Sequence, residues 1–176
     1  FFLGLCLVSF GLVGQLTAAE DLKQLIADLE STNSDTAWKA ADSLTDMGPA
    51  AAPAVPALIK ALGSSDKQLR WRAARALGTI GPDSKDADRS LAGLLKDQDP
   101  LVREYAADAL GRIGNASQGV VDALSAAVTD ENPQVRAEAV NALLSLDIDS
   151  ETRIALVVDV LNDADPSVVA PALNTI

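Results

Sequence analysis

The chain of 176 residues has no histidine and a single cysteine, Cys6. A catalytic triad built on histidine is therefore impossible, and zinc, copper and iron centres that need His or Cys clusters have no ligands. Cys6 lies in an apolar N-terminal stretch. With no second cysteine there is no intrachain disulfide, so the chain is compatible with oxidising and reducing compartments alike. Aromatic residues make up 3% of the sequence, whereas hydrophobic residues as a class reach 48%, mostly Ala, Leu and Val. Such small side chains suit closely stacked helices better than a bulky globular centre. Basic residues are also scarce: 14 Lys and Arg stand against 25 Asp and Glu, a net charge of -11. That balance argues against non-specific nucleic-acid binding, which needs cations to neutralise phosphates, and against anionic membrane surfaces. It supplies the charge that keeps an extended molecule dispersed.

No phosphate-cradling glycine loop is present. Asp147-Ile148-Asp149-Ser150-Glu151 has the look of an opening calcium loop, but Thr152 and Val158 stand where Gly and Glu are required. The stretch reads as a solvated turn with Ser150 capping the next helix. No cofactor and no metal is expected.

What the sequence has in quantity is repetition. The run from Asp99-Pro100-Leu101-Val102-Arg103 to Gly114 has a copy 33 residues earlier, from Asp66 to Gly81, and another 33 residues later, from Asn132 to Leu143. Asp165-Pro166-Ser167-Val168 opens the next, and Ala40, Ala41 and Leu44 keep register in the first. The helix before each copy repeats the same step, at Leu25, Leu58, Leu91, Leu124 and Val157. A fixed period of this size means an array whose units cannot bury their apolar face alone and contact only their neighbours.

The apolar periodicity places first helices near 21–30, 56–62, 88–96, 120–128 and 153–161. Second helices fall near 35–47, 68–80, 101–113 and 134–146, with the last from 167 onward. Asp66, Asp99, Asn132 and Asp165 are N-cap residues, and Pro100, Pro133 and Pro166 follow at the first helical position. Gly48-Pro49 and Gly81-Pro82 end the first two second helices. Pro171 falls inside the final helix, where it should kink or break it.

Residues 1–19 carry no charged side chain. The apolar run to Gly14, followed by Thr17 and Ala19 as small residues before Glu20, reads as a secretory signal peptide cut after Ala19. Residues 20–176 form the array. The expected location is secreted or periplasmic; an uncleaved N-terminal helix anchoring the chain to a membrane is the alternative. The missing initiator Met and the unfinished last helix lead to the expectation of a longer protein, with further repeats or domains beyond Ile176.

The pattern Asp-Pro-x-Val-Arg-x-x-Ala-Ala-x-Ala-Leu-Gly-x-Ile-Gly, carried best by residues 99–114 and nearly as well by 66–81, resembles the HEAT repeat family. It is closest to the short HEAT-like units of phycobilisome lyases, and the resemblance covers residues 22–176. Ankyrin units share the period but need a His, and tetratricopeptide units need bulkier aromatics. The resemblance implies an all-α solenoid, a right-handed superhelix of five antiparallel helix pairs. It also implies that the second helices line a concave face used for binding. HEAT-like iron hydroxylases need His-Glu pairs, which this chain lacks. Repeat one departs from the pattern at Asn33 and Ala37, and repeat five at Val169.

Arg70, Arg103 and Arg136 form a ladder at the edge of the buried arc, and a buried Arg must be paired. Asp66, Asp99 and Asn132 stand four residues before each, so they are expected to complete a capping and stacking network. The opposite arc carries Trp38, Lys39, Trp71, Arg72, Arg75, Tyr105 and Arg112, the candidates for binding a partner. Trp38 and Trp71 hold the same position in successive repeats, so with helices about 8–10 Å apart they should be neighbours. The charges on this arc are mixed, which suits a folded protein or a peptide rather than a polyanion. The function expected is a non-catalytic, exported protein-binding scaffold. The alternatives are an accessory lyase-like subunit, or the repeat segment of a larger secreted enzyme whose chemistry lies beyond residue 176.

Overall fold

A computed structural model describes residues 19–173, and every regular element among them is helical. Helix α1 covers residues 19–28. It is followed by α2 (Ser34–Met47), α3 (Val55–Ala61), α4 (Lys67–Ile80) and α5 (Asp88–Leu94). The chain continues through α6 (Pro100–Ile113), α7 (Gln118–Ala127), α8 (Pro133–Ser145), α9 (Ser150–Val160) and α10 (Pro166–Leu173). Two 3₁₀ segments, Gly48–Ala54 and Gly81–Ala87, lead into α3 and α5. These segments are an addition to what the periodicity shows. Gly48 and Gly81 turn the chain at φ of 55° and 77°, where a Cβ is penalised, and the proline after each starts the tighter coil.

The even-numbered helices stack in order, α2 on α4, α4 on α6, α6 on α8 and α8 on α10. The odd-numbered helices pack alongside them as a second layer. The stack is close because its contact faces are small: Ala41, Ala73, Ala74, Ala76, Ala106, Ala107, Ala109 and Ala139 are fully buried. Gly78 and Gly111 set the limit of approach. A Cβ on Gly78 would lie 3.0 Å from Ala109 Cα, and one on Gly111 2.9 Å from Ala142 Cα. Between the layers run Leu44, Leu58, Leu77, Leu91, Leu110, Leu124 and Leu143, one or two from each of the first four units, all buried. Each contributes about 1.5–3 kcal/mol by leaving water. The result is one continuous core along the array, with a smaller cluster of Val140, Val160, Val168 and Ala172 at its C-terminal end.

The caps act as their chemistry requires. The side chains of Asn33, Asp66, Asp99 and Asn132 accept backbone N–H groups of Thr36, Gln68, Leu101 and Gln134. Two expectations need correcting. The cap of α9 is Asp149, which accepts from the Thr152 N–H; Ser150 is already the first helical residue. Helix α10 continues through Pro171 to Leu173 without a break. Burial of Val168 and Ala172 on the two sides of the proline holds that helix on the array, and packing offsets the one ladder bond a proline removes. The expected signal peptide lies outside the described residues, apart from Ala19. No helix among the described residues is long and apolar enough to cross a membrane.

Candidate binding face

The arginine ladder is real in position but differs in its partners from the expectation. Arg70 does not pair with Asp66. Its Nε and Nη2 donate to the two carboxylate oxygens of Asp97, 27 residues on, at 2.7 and 2.9 Å. Arg103 grips Asp130 in the same way at 2.8 Å for both bonds, and Arg136 grips Asp163 at 2.7 and 2.9 Å. The remaining Nη1 of each arginine donates to a backbone carbonyl just before its own helix, that of Ser64, Asp97 or Asp130. Each aspartate also accepts the N–H of the cap residue two positions later, at Asp99, Asn132 or Asp165. The physical reason for the correction is reach. The cap carboxylate or amide is committed to its own helix N-terminus, whereas the arginine, at the start of one second helix, faces the turn of the next unit. The ladder therefore joins neighbouring units. Burial alone would raise the Asp130 carboxyl, but the Arg103 guanidinium and the Asn132 N–H outweigh it and hold it below the usual carboxylate range. The same balance, with Arg70 and the Asp99 N–H, lowers Asp97.

The first junction is different. Ala37 stands in the arginine position of α2, and Ser64 stands in the aspartate position of the next turn. There the tie is made by Trp38, whose Nε1 donates to Asp66 Oδ2 at 2.7 Å.

Trp38 and Trp71 are not the direct neighbours that their spacing leads one to expect, because a third residue separates them. The Arg72 guanidinium carbon lies 5.2 Å from the Trp38 ring centre and 4.1 Å from that of Trp71. On the other side Tyr105 stacks against Trp71, with ring centres 5.1 Å apart and planes inclined by 23°. The order is Trp38, Arg72, Trp71, Tyr105, a single pile crossing α2, α4 and α6. Each cation-to-ring contact of this kind is worth about 0.5–2 kcal/mol. Several nitrogens of the pile are occupied: Trp71 Nε1 and Arg72 Nη1 both donate to the Gln68 side chain, and Arg72 Nε donates to Asp42. The pile is half-buried.

Of the other candidate residues, Lys39 is exposed, Arg75 sits 3.9 Å from Asp42, and Arg112 donates to Asp108 at 2.7 Å. Farther along the same helices the face turns acidic. Glu104 and Glu138 are half-buried on α6 and α8. Loss of water around Glu138 raises its carboxyl above the usual range; the Asn141 side chain lowers it in part, and the charges of Asp108 and Glu104 raise it further. Loss of water and then Asp108 raise Glu104 in the same direction. A cleft of about 270 Å³ lies between Asp108, Arg112, Glu138 and Asn141.

This array of buried-alanine helices tied by an Arg–Asp ladder matches a known family along its length. A profile of HEAT repeats matches residues 20–95 and 87–175. The chain belongs to the HEAT repeat family. Among curated proteins none matches. Among solved structures, the HEAT array is similar to an engineered protein at 28% identity and a TM-score of 0.73, covering 86% of this chain and 76% of that one. A second engineered protein is 27% identical, with a TM-score of 0.72 and coverages of 89% and 81%. A designed armadillo repeat protein in complex with the peptide (KR)4 shares the fold at 18% identity and a TM-score of 0.74, covering 92% and 82%.

Sequence reasoning passed over Asp97, Asp130 and Asp163 as the acids of the HEAT ladder. The signal was present. They recur at the repeat spacing, and the acid is replaced by Ser64 at the one junction whose preceding helix has Ala37 instead of arginine. Arg72 was read as a binding candidate on the same arc as the tryptophans; its place between them depends on the packing angle of adjacent helices, which spacing does not state.

Proposed function

We propose that this HEAT array is a non-catalytic scaffold that holds a protein or peptide partner on the concave face formed by its even-numbered helices. The observation that carries the reading is the Trp38, Arg72, Trp71, Tyr105 pile. Trp, Tyr and Arg dominate binding energetics because they offer large rigid surfaces at low entropic cost. Here they are prealigned and half-exposed, with both indole N–H groups hydrogen-bonded before any partner arrives. A fold-mate, the designed armadillo protein, is itself in complex with a peptide. Lys39 and Arg75 flank the pile, and Glu104 and Glu138 lie farther along the same helices, giving a partner charges of both signs to match. The chain is exported on this reading: the apolar run before Gly14 and the small residues Thr17 and Ala19 fit a cleaved signal, and N-terminal sequencing of secreted material should begin at Glu20. Material that stays in the membrane with Phe10 retained would contradict export.

The binding reading is tested by selecting a displayed random-peptide library on the intact chain and following indole fluorescence as each winner is added. Trp38 and Trp71 are the chain's tryptophans. Binding at the pile changes their emission. Winners that bind while the emission stays constant would place the site elsewhere.

A further inference from the structure

The repeats of this chain serve as controls for one another, and at one place two side chains leave the pattern together. Asp88, 8% exposed, stands where Val55, 6% exposed, and Val121 stand in the neighbouring units, whereas fully buried Ser84 recurs as Ser117 and Ser150. Pro49 and Pro82, which open the two 3₁₀ segments, have Asn115 as their equivalent, and no 3₁₀ segment follows it. The two touch: Asn115 Nδ2 donates to Asp88 Oδ2. The other carboxylate oxygen, Asp88 Oδ1, is buried without a hydrogen bond, as is the hydroxyl of Ser84 four residues earlier. Leaving such atoms unpaired costs stability. The fold does not require it, because Val55 and Val121 show that an apolar side chain serves at this position. Where a chain keeps a costly departure from its own rule, the position is a candidate for function.

A cleft of about 330 Å³ opens over Asp88 and Asn115, between α5 and the start of α7. Ala92 and Val120 supply apolar wall, and Asp86 adds a second carboxylate. Lys85 and Arg89 also line the cleft, both exposed and neither in an ion pair. Asp88 lines the cleft and its unpaired acceptor is a carboxylate oxygen, so the complementary group is a cationic donor. No group of three or more metal-ligating side chains exists among the described residues, so a metal ion is a poor match. A guanidinium is planar and wants a bidentate carboxylate, but one oxygen of Asp88 is already taken by Asn115. A compact ammonium with a short aliphatic stem needs only one. We infer that this cleft is a second ligand site, separate from the aromatic pile, that takes a primary ammonium group from a partner's lysine side chain or from a free amino acid. In the second case Lys85 and Arg89 hold the ligand's carboxylate.

The test uses the intact chain labelled with ¹⁵N, following the Asn115 side-chain amide and the Gly119 backbone amide. The probes are Nα-acetyl-lysine methylamide and free alanine. The inference expects a saturable shift at both signals with at least one probe, with the Trp71 indole signal unmoved. Tighter binding of the lysine derivative identifies a protein partner, and tighter binding of alanine a free amino acid. Asp88→Val and Asp88→Asn should each weaken that probe at least tenfold, while Asp88→Val, which restores the residue of the neighbouring units, melts no lower than the parent chain. Should Asp88→Val not fold, Asp88→Asn carries the binding comparison alone. No saturable shift with either probe, or equal shifts in the Asp88 variants, would overturn the inference and leave Asp88 as a carboxylate satisfied by water.

Discussion

Replacing Arg103 by alanine should be among the most damaging single changes available to this array. Arg103 is 5% exposed and donates to both oxygens of Asp130 at 2.8 Å and to the carbonyl of Asp97 at 2.9 Å. Alanine would leave a nearly buried carboxylate with only the Asn132 N–H, and would leave the Asp97 carbonyl without this donor. Charge-assisted hydrogen bonds contribute about 1.5–3 kcal/mol each, though not additively. Truncating one side of a buried pair costs about 3–5 kcal/mol. The upper part of that range requires that water not reach Asp130, whose side chain is 11% exposed, so a loss of about 3–4 kcal/mol, the lower half of the range, is expected. Urea unfolding followed by circular dichroism reads it. The double variant R103A/D130S reproduces the first junction, where Ala37 and Ser64 stand naturally. It should recover about 1.5–3 kcal/mol relative to the sum of the single changes. A loss below about 1 kcal/mol for R103A, or simple additivity with D130S, would show that the ladder does not tie the units together.

Glycine substitutions should separate by sign. Gly111→Ala gains helix propensity, but its Cβ meets Ala142 Cα at 2.9 Å and Ser145 Oγ at 3.2 Å, so thermal melts should show a net loss of about 1–3 kcal/mol. Gly93→Ala in α5 meets nothing within 4 Å and should stabilise by up to about 1 kcal/mol. Arg75→Ala removes only a long, exposed contact to Asp42 and should change stability by about 0.5 kcal/mol or less in the same assay. Glu138→Gln tests the acidic end. Because burial and its acidic neighbours raise the folded carboxyl of Glu138, its contribution is fully present below the unfolded value of about 4.3 and lost as pH rises through the folded one. The variant should therefore melt higher than the parent at neutral pH, and the advantage should vanish below about pH 4.3; an advantage that persists in acid would refute the cause.

Most of the architecture was legible because one physical rule is written five times along the chain. Leu58, Leu91 and Leu124 share a core position, Asp66, Asp99 and Asn132 share a cap, and each copy corroborates the others. What was missed involves contacts between units, for which the repeat spacing, not the helix period, carries the signal. The partner of Arg103 lies 27 residues away across a junction, and nothing in the helix period of either segment points to it. The cation between Trp38 and Trp71 has the same origin: a side chain of one unit leans into the space of the previous one. The 3₁₀ segments escaped notice for a local reason. Gly-Pro is a stop signal for the preceding helix, and the same two residues begin a tighter coil whose apolar spacing is too short to register. At Pro171 the local rule was read correctly but outweighed by burial of its neighbours Val168 and Ala172.

The claim that the even-helix face is a binding surface rests most directly on Trp71. Its half-buried indole lies against Arg72 on one side and Tyr105 on the other, so its loss removes the middle of the pile. The decisive measurement is the dissociation constant of the tightest selected peptide for Trp71→Ala, beside that for Asp122→Ala at an exposed position of α7, with folding of both verified by circular dichroism. The account predicts a loss of at least ~2 kcal/mol, about thirtyfold in affinity, for the tryptophan variant and no measurable change for the control. Equal affinities for the two folded variants would contradict it.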